Sequence, residues 1–114
     1  MLPQQNGPGL TVDEGIDLIR AKAAANSLVF AKAARANIEN YDCDVYEVAE
    51  MLAHVSKWDM LEQPTPAKQF PDCVMYTFRL HGYPSTLDVG DWYSHVAVNS
   101  VTKNVVVLAS WKPF

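Results

Sequence analysis

The chain has 114 residues, of which 49% are hydrophobic and 19% charged, and its formal net charge is −4. This length predicts one domain over residues 1–114, and the apolar content excludes a disordered chain. The sequence has neither a run of about 18 apolar residues nor a basic, apolar leader. We therefore expect no contact with membranes, no secretory signal and a cytoplasmic location. A pI near 5.2 without a Lys/Arg cluster argues against binding to long duplex DNA.

Helical patterns occupy the first half of the chain. Residues 1–10 contain two prolines and two glycines, which predicts a flexible lead-in. Thr11 and Glu14 have the spacing of a capping box, and apolar residues follow it at helical intervals from 12 to 23. An alanine-rich stretch predicts a second helix over 28–38, an amphipathic pattern predicts a third over 45–55, and a short turn is expected over 57–62.

From Asp72 onward the hydrophobic period changes from helical to two, as is typical of strands. Strands are predicted over 72–80, 92–99 and 104–111, with a loop over 82–90 and a four-residue hairpin loop over 100–103. This order predicts an α+β fold in which N-terminal helices pack on a C-terminal three-stranded antiparallel β-meander.

The hairpin predicts two different faces of the sheet. A four-residue loop pairs Val98 with Val105 and Trp92 with Trp111, and this face is expected to meet the helices. The other face is predicted to carry Tyr93, His95, Ala97, Val106, Leu108 and Ser110, followed by Lys112.

Tyr93, His95, Ser110 and Lys112 thus form a candidate site, and Arg79 of the preceding strand is expected to join it. We predict Tyr93, His95 and Lys112 as catalytic residues and Arg79 and Ser110 as substrate-binding residues. An imidazole or phenol can take the proton of an RNA 2′-hydroxyl group, and cations stabilise charge that develops on phosphorus. An ordinary solvated sheet face tolerates the same residue types, so this pattern alone leaves both interpretations open.

A second pattern pairs Cys43, just before the third predicted helix, with His95. A cysteine at a helix start and a histidine on a strand are typical of papain-like hydrolases, although Asp42 and Asp44 would raise the pKa of the thiol. The alternative is a buried, inert thiol. Cys43 and Cys73 are expected to stay reduced, and His54 and His81 have no metal-site spacing, so we expect neither a metal nor a cofactor.

Segments from Tyr41 to the C-terminus resemble the MqsR-type toxins, which are RelE-like mRNA endoribonucleases of toxin–antitoxin pairs. The resemblance lies in five stretches: Tyr41-Asp42-Cys43-Asp44, Trp58-Asp59-Met60-Leu61, Asp72-Cys73-Val74-Met75-Tyr76, Trp92-Tyr93-Ser94-His95-Val96-Ala97-Val98 and Val107-Leu108-Ala109-Ser110-Trp111-Lys112. It implies a RelE-like fold, with the strand tyrosine of the family at Tyr93 and its C-terminal lysine at Lys112.

The chain also departs from this family. His95 stands where the family has a lysine, a second site lysine falls near Glu62, and the chain is acidic where these toxins are usually basic. The leading hypothesis is a metal-independent mRNA endoribonuclease toxin, or a diverged relative, with an antitoxin as partner. The alternatives are a papain-like Cys–His hydrolase or deamidase and a non-catalytic immunity or inhibitor protein with an acidic binding surface.

Overall fold

In the described part of the first half of the chain, three α-helices form, as predicted. The computed structural model describes residues 5–7, 10–82 and 90–114, and the predicted loop over 82–90 lies almost entirely outside them. The helices are α1 (Val12–Ala24), α2 (Lys32–Asn40) and α3 (Val45–Ala53), followed by a 3-10 turn at Lys57–Asp59. None of the helices in the described ranges has the length and apolar character needed to cross a membrane.

The start of α1 has the predicted capping box. The amide of Glu14 donates to the Thr11 hydroxyl oxygen at 3.2 Å, and the Glu14 carboxylate accepts from the Thr11 amide at 3.1 Å. Ile16 and Ile19 then place the apolar face of the helix in the core. Just before the helix, Gln5–Gly7 (β1) pairs with Leu10–Thr11 (β2), and Leu10 is fully buried. Leu10 therefore belongs to the core and not to a flexible lead-in.

The helix predicted over 28–38 begins later than expected. Val29–Phe30 forms a short strand, β3, and α2 starts only at Lys32. Residues Val29 and Phe30 pair in parallel with Val107 and Leu108, and the amide of Ala31 continues the ladder to the Leu108 carbonyl at 3.0 Å. The pairing with the sheet overrides the helical tendency of this stretch.

Among the described residues the sheet has five strands, not three. Its long strands are β5 (Cys73–His81), β6 (Asp91–Asn99) and β7 (Val106–Pro113), which are antiparallel neighbours in chain order. The short strands extend it at both edges, since β3 lies parallel to β7 and β4 (Thr65–Pro66) lies antiparallel to β5. The prediction of a purely antiparallel three-stranded meander is therefore wrong at its edges, where two-residue strands carry no detectable period.

The predicted register of the β6–β7 hairpin is also wrong. Val98 pairs with Val106, one residue later on β7 than predicted. The cause lies in the turn. The side-chain oxygen of Asn99 accepts two backbone hydrogen bonds, and the backbone N–H of Asn99 donates to the Val105 carbonyl. This pairing makes the loop one residue longer than predicted. As a result Val106 and Leu108 are buried in the core instead of lying on the opposite face.

An irregularity in β7 then returns the residues after Ala109 to the sheet faces that the sequence predicted for them. Val96 pairs with Leu108 but His95 pairs with Ser110, so Ala109 is an extra residue on β7. Beyond it, Trp111 faces the helices again, and Ser110 and Lys112 lie on the other face. Trp92 and Trp111 are both fully buried and stack with ring centres 5.2 Å apart, although the strand partner of Trp111 is Ser94.

Candidate functional site on the open sheet face

The sheet has one face packed against the helices and one that we call the open face. Strand register places on the open face Thr77, Arg79, His81, Asp91, Tyr93, His95, Ser110 and Lys112. One row across the strands contains Arg79, Tyr93 and Lys112, and the next contains Thr77, His95 and Ser110. The structure therefore brings together all five residues that the sequence nominated, while their chemical roles stay predictions.

Tyr93 lies at the centre of this group. Its ring centre is 4.9 Å from that of His95, and the Lys112 ammonium lies 5.2 Å from the Tyr93 ring centre. At this distance a cation is attracted by the ring quadrupole. Within the described ranges, no carboxylate lies within 4.0 Å of Lys112. The lysine charge is thus held over the Tyr93 ring.

The surroundings of His95 favour the neutral form of its imidazole. Partial burial lowers the pKa of its imidazole below the ordinary value of 6.5, the Lys112 charge lowers it further, and Glu62 opposes both effects. Its Nε2 atom is buried and has no hydrogen-bond partner among the described residues. An imidazolium would bury an unpaired N–H group there, which adds to the cost of protonation. A neutral imidazole is the form that can accept a proton.

Glu62 is the acidic residue that acts on His95, and the sequence comparison expected a lysine near this position. Glu62 is exposed, and its negative charge favours the protonated form of His95. Sequence spacing along the strands gave no sign of this neighbour, because Glu62 lies in the irregular segment before β4. The site is therefore less positive than its strand residues alone would make it.

Asp91 organises the other end of the open face. Its carboxylate accepts from Arg79 Nε at 2.7 Å and also binds the Arg79 Nη2 and His81 Nδ1 atoms. The hydrogen bond from Arg79, and then the one from His81, hold the pKa of Asp91 below its ordinary value. Arg79 is thus present at the site, as predicted, but its charge is largely offset by Asp91.

The Asp91–His81 pair was missed in the sequence. Both residues stood at the ends of the predicted 82–90 loop, and His81 was treated as an isolated histidine. The register of β5 and β6 places them directly opposite each other. A search for polar residues that continue the open-face period by two, from Arg79 to His81 and from Tyr93 back to Asp91, would have found the pair.

The cysteines do not join this site. Cys43 packs against the core that the helices share with the sheet, whereas His95 belongs to the open face. The predicted Cys43–His95 pairing is therefore not formed, because the sheet separates the two side chains. Burial raises the pKa of the Cys73 thiol, with the Asp72 charge adding to the effect, so the Cys73 thiol is not activated.

A cavity of about 300 Å³ lies at the His81 end of the open face and is lined by Glu50, Met51, His54, Asp59, Leu80 and His81. Over residues 5–7, 10–82 and 90–114, no group of three or more histidine, cysteine or acidic side chains is arranged to hold a metal ion.

Comparisons with protein-family models, with curated proteins and with solved structures found no match. The chemistry of the open face therefore has to be inferred from its own geometry. That geometry combines a neutral imidazole, a phenol and a lysine without a carboxylate partner within the described part of the chain.

Proposed function

We propose that this protein is a metal-independent endoribonuclease that binds and cleaves single-stranded RNA on the open face, in the manner of RelE- and MqsR-like toxins. The observation that carries the proposal is the grouping of Tyr93, His95 and Lys112 on adjacent strands, with the lysine held over the tyrosine ring. RNA carries its own nucleophile in the 2′-hydroxyl group, so the protein has only to move protons and stabilise charge.

In this reaction the 2′-hydroxyl oxygen attacks the adjacent phosphorus while neutral His95 accepts its proton. The bond from phosphorus to the 5′ oxygen breaks, and this oxygen receives a proton from the Tyr93 hydroxyl group. His95 then releases its proton to solvent, and the Tyr93 phenolate takes one from solvent, so both groups return to their starting forms. The products are a 2′,3′-cyclic phosphate and a free 5′-hydroxyl group. Lys112 stabilises the phosphorane charge, while Ser110 and Arg79 donate hydrogen bonds to the substrate.

The resemblance to MqsR-type toxins supports this assignment through Tyr93 and Lys112, which occupy the positions of the tyrosine and lysine of that family. An antitoxin encoded separately is then the expected protein partner, and mRNA the expected substrate. The helix-then-sheet order of the fold is consistent with a RelE-like layout. The acidic Glu62 beside the site is the main departure, and we expect it to reduce the affinity for RNA.

The test is incubation of the purified protein with single-stranded RNA in the presence of a metal chelator. We expect cleavage that leaves a 2′,3′-cyclic phosphate, and we expect Lys112→Ala to slow it by about 100-fold, as loss of a charge-stabilising donor typically does. Lys57→Ala is the matched control, because Lys57 also lies over an aromatic ring, that of Trp58, but on the 3-10 turn. Intact RNA with the wild-type protein, or equal cleavage by both variants, would disprove the proposal.

A further inference from the structure

Phe114 extends the aromatic group of the open face. Its ring centre lies 5.9 Å from that of Tyr93, and Tyr93 in turn lies 4.9 Å from His95. The three rings form a continuous aromatic row across the face. Phe114 is 54% exposed, so one side of its ring is open to a ligand.

Two contacts hold Phe114 in place. The Arg79 guanidinium carbon lies 3.9 Å from the centre of the phenylalanine ring, and the Phe114 amide donates to the Asp91 carbonyl at 3.0 Å. Arg79 is itself fixed by the Asp91 carboxylate. An exposed aromatic ring that is fixed in this way loses little conformational entropy when a ligand stacks on it.

The charges around the row favour an anionic ligand with flat groups. Lys112 lies over Tyr93 and Arg79 over Phe114, so each of the two rings has a cation beside it. Alternation of cations and aromatic rings is the pattern by which proteins bind single-stranded nucleic acid, with bases on the rings and phosphates at the cations.

The exposed aromatic surface favours a single strand over a duplex. The ring centres of Tyr93 and Phe114 lie 5.9 Å apart, and the two rings are tilted by 37° to each other. A duplex keeps its bases stacked on one another, whereas the bases of a single strand can turn outward and stack on aromatic side chains.

We propose that Phe114 and Tyr93 form a subsite on which bases of single-stranded RNA stack. The inference rests on the proposed function for the identity of the ligand, and it assigns Phe114 to substrate binding and not to proton transfer. The subsite places a base beside Arg79, so that the next phosphate along the strand lies toward Lys112.

The experiment measures binding separately from cleavage. The probe is a labelled 2′-O-methyl RNA of about 12 nucleotides, which has no 2′-hydroxyl nucleophile, and the readout is fluorescence anisotropy with the full-length protein. We expect Phe114→Ala to weaken binding about tenfold, because stacking of one base contributes roughly that factor or more. Phe114→Trp should restore the affinity, and a duplex of the same sequence should bind more weakly than the single strand.

Tyr46→Ala is the matched control, since Tyr46 is an exposed aromatic residue on α3, on the helical side of the sheet. It should bind the probe as the wild type does. Equal affinity of wild type and Phe114→Ala, a wild type that binds no probe, or equal affinity for duplex and single strand would each overturn the subsite.

The cleavable RNA distinguishes this subsite from the proposed function. Phe114→Ala should raise KM and leave kcat nearly unchanged, which a merely structural role would not produce. Binding of the probe without cleavage of RNA would leave the stacking subsite intact and disprove only the ribonuclease. Cleavage of RNA, together with probe binding that Phe114→Ala does not weaken, would disprove the stacking subsite and leave the ribonuclease intact.

Discussion

The two faces of the sheet are built on opposite principles. The face toward the helices is apolar, and its largest side chains, Trp92 and Trp111, are fully buried and stacked on each other. The open face instead carries an exposed lysine beside a half-buried phenol and a half-buried imidazole. Burial of apolar surface stabilises the first face, whereas the second contributes little to stability and is free to serve function.

The difference shows that strand alternation can separate stability from function within one strand. In β6 the residues Trp92, Ser94 and Val96 point into the core, while the residues between them point to the open face. Substitutions on the two faces should therefore have different consequences, even when they are neighbours in sequence.

The largest effect is expected from the core face. Trp111→Ala removes a fully buried ring that stacks on Trp92, and it should lower the free energy of unfolding by about 3–5 kcal/mol. Urea denaturation of the variant measures this loss. Tyr93→Ala, on the open face of the neighbouring strand, is the control and should cost about 1 kcal/mol or less. Equal losses in the two variants would break the distinction between the faces.

The contact between α1 and the sheet is expected to be the next most sensitive. A Cβ atom at Gly15 would lie 1.7 Å from the Tyr76 hydroxyl oxygen, and Tyr76 is fully buried. Gly15→Ala should therefore destabilise the protein by about 1–3 kcal/mol, despite the higher helix propensity of alanine. Gly90→Ala, where nothing lies within 4 Å, is the control in the same denaturation experiment. A more stable Gly15→Ala variant would show that α1 does not pack so closely on β5.

On the open face, the ion pairs of Asp91 should contribute to stability in a pH-dependent way. Arg79 and His81 hold the pKa of Asp91 below its ordinary value of 3.8. The folded state therefore binds fewer protons here than the unfolded state, so this contribution is present above that value and is lost as the pH falls through the folded pKa. We expect the urea midpoint to decrease between about pH 6 and about pH 3, and this decrease should be larger in the wild type than in Asp91→Asn. Equal falls would contradict the role of Asp91.

The smallest effect concerns His95, whose ring pKa should lie below 6.5 in an NMR titration. Lys112→Met should raise this pKa because it removes a nearby positive charge, and Glu62→Gln should lower it because it removes the opposing negative charge. Since the folded pKa is lowered, His95 costs stability as the pH falls through the unfolded value of about 6.5. A His95 pKa that both variants leave unchanged would show that neither charge acts on the ring.

The group of residues on the open face was predicted correctly, although the β6–β7 register from which we derived it was wrong. The hairpin loop is one residue longer than expected because Asn99 caps it, and Ala109 is then an extra residue in β7. Each of these changes alone would move Lys112 to the helix-packed face, since side chains alternate with period two. Together they shift the pairing beyond Ala109 by two residues, which restores the face, so Lys112 lies on the open face opposite Tyr93.

Other features could not be read from the sequence because they depend on contacts between distant segments. The two-residue strand β3 forms only because Val29 lies beside Val107 of the last strand. Glu62 acts on His95, and Phe114 packs on Arg79. The residues of each pair lie far apart in the sequence, so the hydrophobic periodicity of a single strand does not predict these contacts. The capping box at Thr11 depends on residues three positions apart and was predicted correctly.

The most direct test of the account is the rate of RNA cleavage by His95→Gln, measured together with its urea midpoint. If the open face carries function and the helix-packed face carries stability, the rate should fall by at least about 100-fold, as expected for loss of a general base, while the urea midpoint stays close to that of the wild type. A wild type that leaves RNA intact, or a His95→Gln variant that cleaves at the wild-type rate, would contradict the account.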